Sequence, residues 1–462
     1  MTSIDVFPLL PGERPTTVAD AIAGSSAEFV VWLAEGDSLG DLAPVAELIA
    51  ASPEADVVYA DEWSGPGRHR THLRRPDFSP ERLRNQFYFG RAVFYRREFL
   101  QRIGGISTSH PGAEDYELAL RASRTARSVL HLPVALYEPL AGTTAPLDDV
   151  AVESTRRALQ EHLDETGGGR VVTVGRDGVH DTRRPVIGTP LVSVVIPTRG
   201  GYDAHAGGTG SYLLNAIESI VERSTYTNLE FVIVVDGVAE PSVLNELERL
   251  LGDRLVLVPW RKPFNFSEKI NAGVVRARGE FVLILNDDVR VLTPDWIESL
   301  LALAQLPGAG MSGAMLYYED DSIQHAGHAY YEGDASHIGL DTPRGDPGPL
   351  SGYRVEREVS GVTAACAMMP TAVFHEVGGL SNLLPGNFND VDLCMKVTWL
   401  GHDIYWTPHA ELYHYESKTR DASVHEFEVF MAWTRWGFRM NDHRYWPYPH
   451  SRTPTPAPNS AW

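Results

Sequence analysis

Three short apolar runs, LVSVVIP (191–197), LEFVIVVDG (229–237) and EFVLIL (280–285), are separated by segments with helical periodicity. Each run lacks polar alternation, which predicts a strand covered on both faces. Between the first two, SYLLNAIESIVERS (211–224) has apolar residues at 213, 214, 217, 220 and 221, one face of a helix. SEKINAGVVRARG (267–279) predicts a second helix, from Ser267 to near Gly279. Covered strands alternating with amphipathic helices predict an α/β domain around a parallel-core sheet. Ligands gather at the carboxyl ends of such strands. Here those ends carry Pro197-Thr198-Arg199, Asp236 and Asn286-Asp287-Asp288.

The third strand has an echo. FVLILNDDVRVL (281–292) is matched by FVVWLAEGDSL (29–39), with Ala34, Glu35 and Gly36 where the Asn and two Asp stand. Three further blocks recur in the same order. AVFYRREFLQRIGG (92–105) matches CAMMPTAVFHEVGG (366–379), HPGAEDYELALRAS (110–123) matches LPGNFNDVDLCMKV (384–397), and VLHLPVALYE (129–138) matches IYWTPHAELYHYE (404–416). Four blocks in one order predict an internal repeat. Residues 1–28 leave no room for the strand–helix–strand half that precedes the second copy, so the first reads as a half-domain. LDDVAVESTRRALQEHLDET (147–166) predicts a helix closed by Gly167-Gly168-Gly169. The main boundary is expected near residue 185. The expected organisation is a degenerate module over 1–170, a linker over 171–189, a catalytic domain over 190–450 and a disordered, Pro-rich tail over 451–462.

A chain of 462 residues with 43% apolar content suits two or three domains with sizeable cores. Its net charge of −21 argues against nucleic acid as a partner, since phosphate backbones call for a basic surface. Small phosphorylated ligands carried with a divalent cation stay admissible. Cys366 and Cys394 cannot build a disulfide framework and suit a reducing compartment. The N-terminus lacks a signal-peptide pattern, and no run approaches the roughly 20 apolar residues that span a bilayer. The expectation is a cytoplasmic protein. Peripheral contact with the inner face of the cell membrane and self-association as a homo-oligomer are compatible with it.

Adjacent carboxylates at the end of a covered strand need a counter-charge. Two unit charges about 4 Å apart repel by about 4 kcal/mol at an effective dielectric of 20. A Mg²⁺ or Mn²⁺ ion reverses that sign, and such ions complete their shells with substrate phosphates. A second acidic cluster, Asp390 and Asp392, opens a helical segment, and His414 follows a short strand. Together these groups fit a metal-assisted transfer: Asp288 and His414 on the ion, and Asp390 taking a proton from an attacking hydroxyl.

These motifs carry a resemblance. The ordered set VSVVIPTRG, LEFVIVVDG, FNFSEKINAGVVRARGEFVLILNDDV, IQHAG, GGLSNLLPGNFNDVDLCMKV and YHYES resembles family 2 glycosyltransferases of the glycosyltransferase-A fold. Within them it is most similar to bacterial enzymes of O-antigen, rhamnan and related surface polysaccharide assembly. The resemblance covers the second copy, about 190–450. The first copy resembles the truncated module that often precedes such domains. The implied fold is a Rossmann-like mixed sheet flanked by helices, preceded by a degenerate half-copy. The implied activity is inverting transfer of a sugar from a nucleotide-diphosphate donor to a hydroxyl of a glycan or lipid-linked acceptor, with Mn²⁺ or Mg²⁺ as cofactor. The resemblance assigns Pro197, Thr198, Arg199, Asp236, Asn271, Asn286 and Asp287 to the nucleotide pocket and Asp288 and His414 to the metal. It places Gln324 and His325 toward the donor or acceptor sugar. Asn389 stands where the family's Glu-Asp pair has its Glu, which leaves Asp390 and Asp392 both as candidates for the base.

The first copy keeps Glu114-Asp115 but neither the metal acids nor a nucleotide half, so residues 1–170 are expected to be non-catalytic. The aromatic stretch 426–449 is expected to be partly helical and to pack over the catalytic domain. Two rivals stay open: a glycan-binding pseudoenzyme, motivated by Asn286 and Asn389, and a metal-dependent phosphohydrolase.

Overall fold

A computed structural model describes residues 2–10, 13–64, 70–140, 146–203, 208–415 and 424–448. The expected tail, 451–462, lies outside them. The chain divides into two compact units, residues 1–184 and 185–462.

The first unit contains strands β1 (Ile4–Leu9), β2 (Phe29–Ala34), β3 (Ser38–Leu39), β4 (Ala55–Ser64), β5 (Thr71–Leu73), β6 (Val93–Arg96) and β7 (Ser128–Glu138). They form one sheet in the order β1-β2-β6-β4-β7-β3, with β5 beside β4. β8 (Arg170–Val174) and β9 (His180–Arg183) make a separate hairpin. Residues 171–183, expected as part of a linker, belong to this hairpin. The hairpin is tied back by His180 N donating to Asn85 O at 2.8 Å and by Thr182 Oγ1 donating to Asn85 Oδ1 at 2.9 Å. The helix Asp149–Glu165 starts where Asp148 accepts from Ala151 N at 2.8 Å, an N-cap that pairs an otherwise orphan donor.

The second unit contains β10 (Val192–Thr198), β11 (Leu229–Asp236), β12 (Leu255–Trp260), β13 (Phe281–Leu285), β14 (Val289–Val291), β15 (Ala309–Tyr317), β16 (Ile323–His325), β17 (His328–Tyr331), β18 (Asp334–His337), β19 (Arg357–Glu358), β20 (Cys366–Pro370) and β21 (Asp403–His414). Its main sheet runs β12-β11-β10-β13-β20-β15-β21-β14. β12, β11, β10 and β13 are mutually parallel, as their unbroken apolar runs predict. β20 enters antiparallel to both β13 and β15, so the sheet is mixed. The helices Tyr212–Arg223 and Trp296–Ala304 pack one face through Leu213, Ile217, Trp296 and Leu300. The other face is covered through Ile270, Val274, Phe374 and Leu393. The helix Phe266–Val274 lies so close to the sheet that a Cβ on Gly273 would meet Val195 Cγ1 at 2.5 Å. That approach brings Lys269 beneath the ends of β10 and β11.

The two sheets share one succession of pairings. β1-β2 and β10-β13 are parallel, β2-β6 and β13-β20 antiparallel, β6-β4 and β20-β15 antiparallel, β4-β7 and β15-β21 parallel, and β7-β3 and β21-β14 antiparallel. The side strands β5 and β16 also correspond. The second sheet adds β11 and β12 beyond β10. Residues 1–28, expected to hold no part of that edge, do supply one strand, β1.

Candidate active site

The triplet Asn286-Asp287-Asp288 is strapped between β13 and β14. Asn286 N donates to Ala365 O at 3.0 Å, and Tyr415 N donates to Asp288 O at 2.9 Å. β14 pairs antiparallel with β21, so Val289 faces His414 across the ladder. That register sets His414 Nε2 3.2 Å from Asp288 Oδ1 and 2.9 Å from Asn286 Nδ2.

His414 Nδ1 lies 2.6 Å from Gln324 Oε1. An amide oxygen only accepts, so Nδ1 carries the proton and Nε2 presents a lone pair beside Asp288. A carboxyl oxygen beside an imidazole nitrogen is a mixed donor pair that suits Mn²⁺ better than Mg²⁺, which favours all-oxygen shells. Neighbouring ligands of an octahedral ion with bonds of about 2.1 Å stand about 3 Å apart. The pair therefore fits a divalent cation, and Gln324 is the outer partner that fixes the ring. Gln324 and His414 are both buried and neither lines the cavity directly; Gln324 stands behind the His414 ring.

Asp287 is held on its other side. Its Oδ2 accepts from Thr198 Oγ1 at 2.6 Å. Burial, then the neighbouring Asp288 charge, push its carboxyl up to about 7. Lys269, absent from the expected site, is fully buried. Its ammonium donates to Thr198 O at 2.8 Å and pairs with Asp236 at 2.7 Å. Asp236 thus anchors Lys269 and does not line the cavity. Asn271 is also placed elsewhere than expected. Its amide donates to Leu380 O at 2.8 Å and accepts from Leu380 N at 2.9 Å, fastening the loop after Gly379.

A cavity of about 360 Å³ opens over these strand ends. Pro197, Thr198, Arg199, Asn286, Asp287 and Asp288 line it, together with Asn387, Phe388, Asn389 and Asp390. Phe388 has φ 55°, a left-handed conformation that a bulky side chain rarely adopts. It turns the chain into the helix Asn389–Trp399, with Asp390 in its first turn. Asp390 Oδ1 accepts from Val391 N at 2.8 Å and Oδ2 from Ala364 N at 3.3 Å. Burial alone would raise its carboxyl. The His328 and His337 rings, the Thr363 hydroxyl and the Val391 N–H outweigh burial and hold it below the usual carboxylate range.

Asp392, the other candidate base, is fully buried and faces away from the cavity. It accepts from Trp436 Nε1 at 2.8 Å and pairs with Arg435 at 2.9 Å and Lys396 at 3.0 Å. Its partners belong to the helix Glu426–Trp436 and to its own helix, so it is an anchor. The same C-terminal helix holds the loop before Asp390, because Glu428 accepts from Gly386 N and Asn387 N, both at 2.7 Å. Packing of this aromatic segment on the second unit is as expected: Ala432, Trp436 and Met440 bury against Tyr330, Val391 and Met395.

His325 is fully buried and does not line the cavity; His328 and His337 do. The three imidazoles lie within 4.8 Å of one another by their nearest nitrogens. Hydrogen-bond directions nonetheless oppose a metal cage. Thr363 N–H points at His325 Nε2 at 3.2 Å, so that nitrogen accepts and Nδ1 carries the proton. That proton faces His337 Nδ1 at 3.0 Å. Both nitrogens are thereby engaged with each other. The cavity lining resumes three residues beyond His325, in a hairpin whose register sets His328 opposite His337.

Residues 193–378 match the family model described as glycosyl transferase family 2. The second unit is a family 2 glycosyltransferase domain. This glycosyltransferase domain has the mixed α/β architecture that the resemblance implied. The chain is 35% identical over 433 residues to the uncharacterized protein y4gI of Sinorhizobium fredii (strain NBRC 101917 / NGR234), covering 90% of this chain and 47% of that protein. It is 30% identical over 424 residues to the O-antigen biosynthesis protein RfbC of Myxococcus xanthus, covering 89% of this chain and 33% of that protein. The chain thus spans half or less of the length of these relatives. Similar solved structures include GalNAc-T7 with UDP, GalNAc and Mn²⁺ (TM-score 0.43, 14% identity, 56% of this chain and 50% of that one). Another is the mannosyltransferase PcManGT of Pyrobaculum calidifontis with GDP-Man and Mn²⁺ (TM-score 0.37, 15% identity, 51% of this chain and 60% of that one).

Proposed function

We propose that the second unit transfers a sugar, with inversion, from a nucleotide-diphosphate donor to a hydroxyl of a glycan or lipid-linked acceptor in bacterial surface polysaccharide assembly. The observation that carries this reading is that one cavity is lined both by Asn286, Asp287 and Asp288 at a strand end and by Asp390 in the first turn of a helix. Asp288 and His414 would hold a divalent cation, which supplies charge neutralisation for the diphosphate leaving group. Thr198 and Lys269 keep the Asp287 carboxyl and the end of β10 in place under the donor. Asp390 takes the proton of the acceptor hydroxyl as its oxygen bonds to the anomeric carbon. The bond from that carbon to the diphosphate oxygen breaks, and its electron pair leaves with the diphosphate. General-base help of this kind is worth about 10²–10⁴-fold.

The first unit is proposed to be a non-catalytic half-copy. Its sheet repeats the pairing order without the β11–β12 edge. Asp115, at the place of Asp390, accepts from Trp32 Nε1 at 2.9 Å. Trp32 stacks on Tyr95 with ring centroids 5.5 Å apart, so the Asp115 carboxyl is engaged by an indole that is itself held in the core. No helix among the described residues is long and apolar enough to cross a membrane. The expected setting is the cytoplasm, with the acceptor drawn from solution or from the inner membrane face.

The test is a screen of nucleotide sugars, with and without Mn²⁺, for thermal stabilisation and for release of nucleoside diphosphate, followed by transfer of labelled sugar to glycan acceptors. Transfer that requires metal and is lost in Asp288→Ala supports the reading. Robust transfer by Asp288→Ala at low metal overturns the metal assignment. Release of free sugar alone indicates a hydrolase, and glycan binding without turnover indicates the pseudoenzyme.

A further inference from the structure

Behind Asp390 lies a buried group that the proposed transfer does not use. His328 opens β17, and its Nε2 is 3.9 Å from Asp390 Oδ2. Its Nδ1 is 3.3 Å from the Tyr330 hydroxyl. That hydroxyl is fully buried and has His328 as its hydrogen-bond partner among the described residues.

Two independent constraints set the His328 tautomer. A buried phenol that donates to nothing leaves a polar hydrogen desolvated, at about 1–3 kcal/mol. Tyr330 therefore donates to Nδ1, which must be unprotonated. The proton then sits on Nε2, toward the carboxylate. The opposite tautomer would orphan the phenol and turn a lone pair at an anion. Gly361 holds the arrangement in place: it accepts from His328 N at 2.7 Å, and a Cβ there would meet the Tyr330 oxygen at 2.5 Å.

We propose that His328 is the positioning residue of the catalytic base: it receives a hydrogen bond from Tyr330 at Nδ1 and directs its Nε2–H toward Asp390, favouring the ionised carboxylate and its orientation. The inference rests on the reading of Asp390 as the base. At 3.9 Å the contact is electrostatic. A shift of about 1 Å brings it to charge-assisted hydrogen-bond length, and catalytic contacts commonly tighten this way when substrate binds. The groups facing His328 are Asp390 from the Asn389–Trp399 helix, His337 from β18, His325 from β16 and Tyr330 from its own strand. Burial pushes the His328 ring down to about 4, although Asp390 pulls the other way. It therefore acts as a neutral N–H dipole at neutral pH.

Two measurements on the full chain test this. Long-range ¹⁵N NMR of histidine-labelled protein reads the tautomer directly, with the His328 signals assigned by their loss in His328→Gln. An Nε2–H tautomer at pH 7.5, disturbed by Tyr330→Phe, is expected; an Nδ1–H tautomer overturns the proposal. The second is the pH profile of kcat/KM, using the donor found in the screen. Loss of the N–H disfavours ionised Asp390. The acidic limb of His328→Leu should move up by about one pH unit, a roughly tenfold loss on the acid side of the limb that disappears by neutral pH. His328→Gln, whose amide can still donate, should keep the wild-type limb. A uniform loss in His328→Leu with an unmoved limb, or equal damage from Gln and Leu, overturns the inference. If His328→Leu does not fold, the comparison of His328→Gln and Tyr330→Phe decides. Undiminished transfer by Asp390→Asn would instead sink the base assignment, whatever His328 does.

Discussion

Replacing Asp392 by Asn separates a residue that anchors the fold from the proposed base two positions earlier. Asp392 has a fully buried carboxylate that meets three donors: the Trp436 indole, the Lys396 ammonium and the Arg435 guanidinium. Asn is isosteric and keeps an oxygen for Trp436, but it presents a neutral amide to two cations. Charge-assisted hydrogen bonds contribute about 1.5–3 kcal/mol each. Arg435 is nearly half exposed, so its share is small; Lys396 is only 12% exposed and carries most of the effect. The expected loss is about 2–3 kcal/mol. For a unit of this size that lowers the melting temperature by roughly 5–10 °C. Thermal unfolding of Asp392→Asn should show that drop in the transition of the second unit, while transfer rates at 20 °C stay within about threefold of wild type. An unchanged melting temperature together with a 100-fold loss of transfer would refute the placement of Asp392 outside the chemistry.

Three further outcomes follow from the same geometry. Asp390→Asn should lower transfer by about 10²–10⁴-fold at an almost unchanged melting temperature, measured by initial rates beside thermal unfolding. Gln324→Leu removes the acceptor that sets the His414 tautomer and should weaken Mn²⁺ binding by about 10–100-fold, read from the metal dependence of thermal stabilisation. Asp115→Asn should leave transfer intact and stabilise the first unit. Burial, aided by Glu114 and opposed by the Trp32 hydrogen bond, pushes the Asp115 carboxyl up to about 6. Between about pH 4 and pH 6 the unfolded chain ionises this group before the folded one does, so wild-type stability falls as pH rises through that window. The gain from Asn should therefore be small at pH 4 and reach at most about 3 kcal/mol above pH 6, seen as a pH-dependent difference in thermal unfolding.

The covered strands were the most legible part of this chain. β10, β11 and β13 stand within a residue or two of the apolar runs that announced them, because strands buried on both faces carry no competing pattern. The carboxylate triplet and Asp390 were legible for a related reason: acids interrupting an apolar segment need a cause. β1 and the second hairpin strand, β9, were hidden, since IDVFPL and HDTR are mixed sequences whose pairing is decided by tertiary partners. Lys269 looked like one more polar residue on an amphipathic helix; its burial follows from Gly273 pressing that helix onto the sheet. Asp390 and Asp392 could not be told apart from spacing alone. Two residues along a helix rotate the side chain by about 200°, and only the position of the C-terminal helix shows which of the two faces the cavity.

The shared pairing order of the two sheets has a consequence for how the chain is made. Each of β1, β2, β6, β4, β7 and β3 has a counterpart in the second sheet with the same neighbours and the same strand directions. A newly exposed strand thus meets two addresses that answer to the same description, a known hazard of repeated architectures. Vectorial synthesis resolves the ambiguity, because the first sheet can close before β10 leaves the ribosome. Dilution from denaturant offers no such queue, and there only local side-chain differences, such as Trp32 against Ile284, distinguish the correct partner from its double.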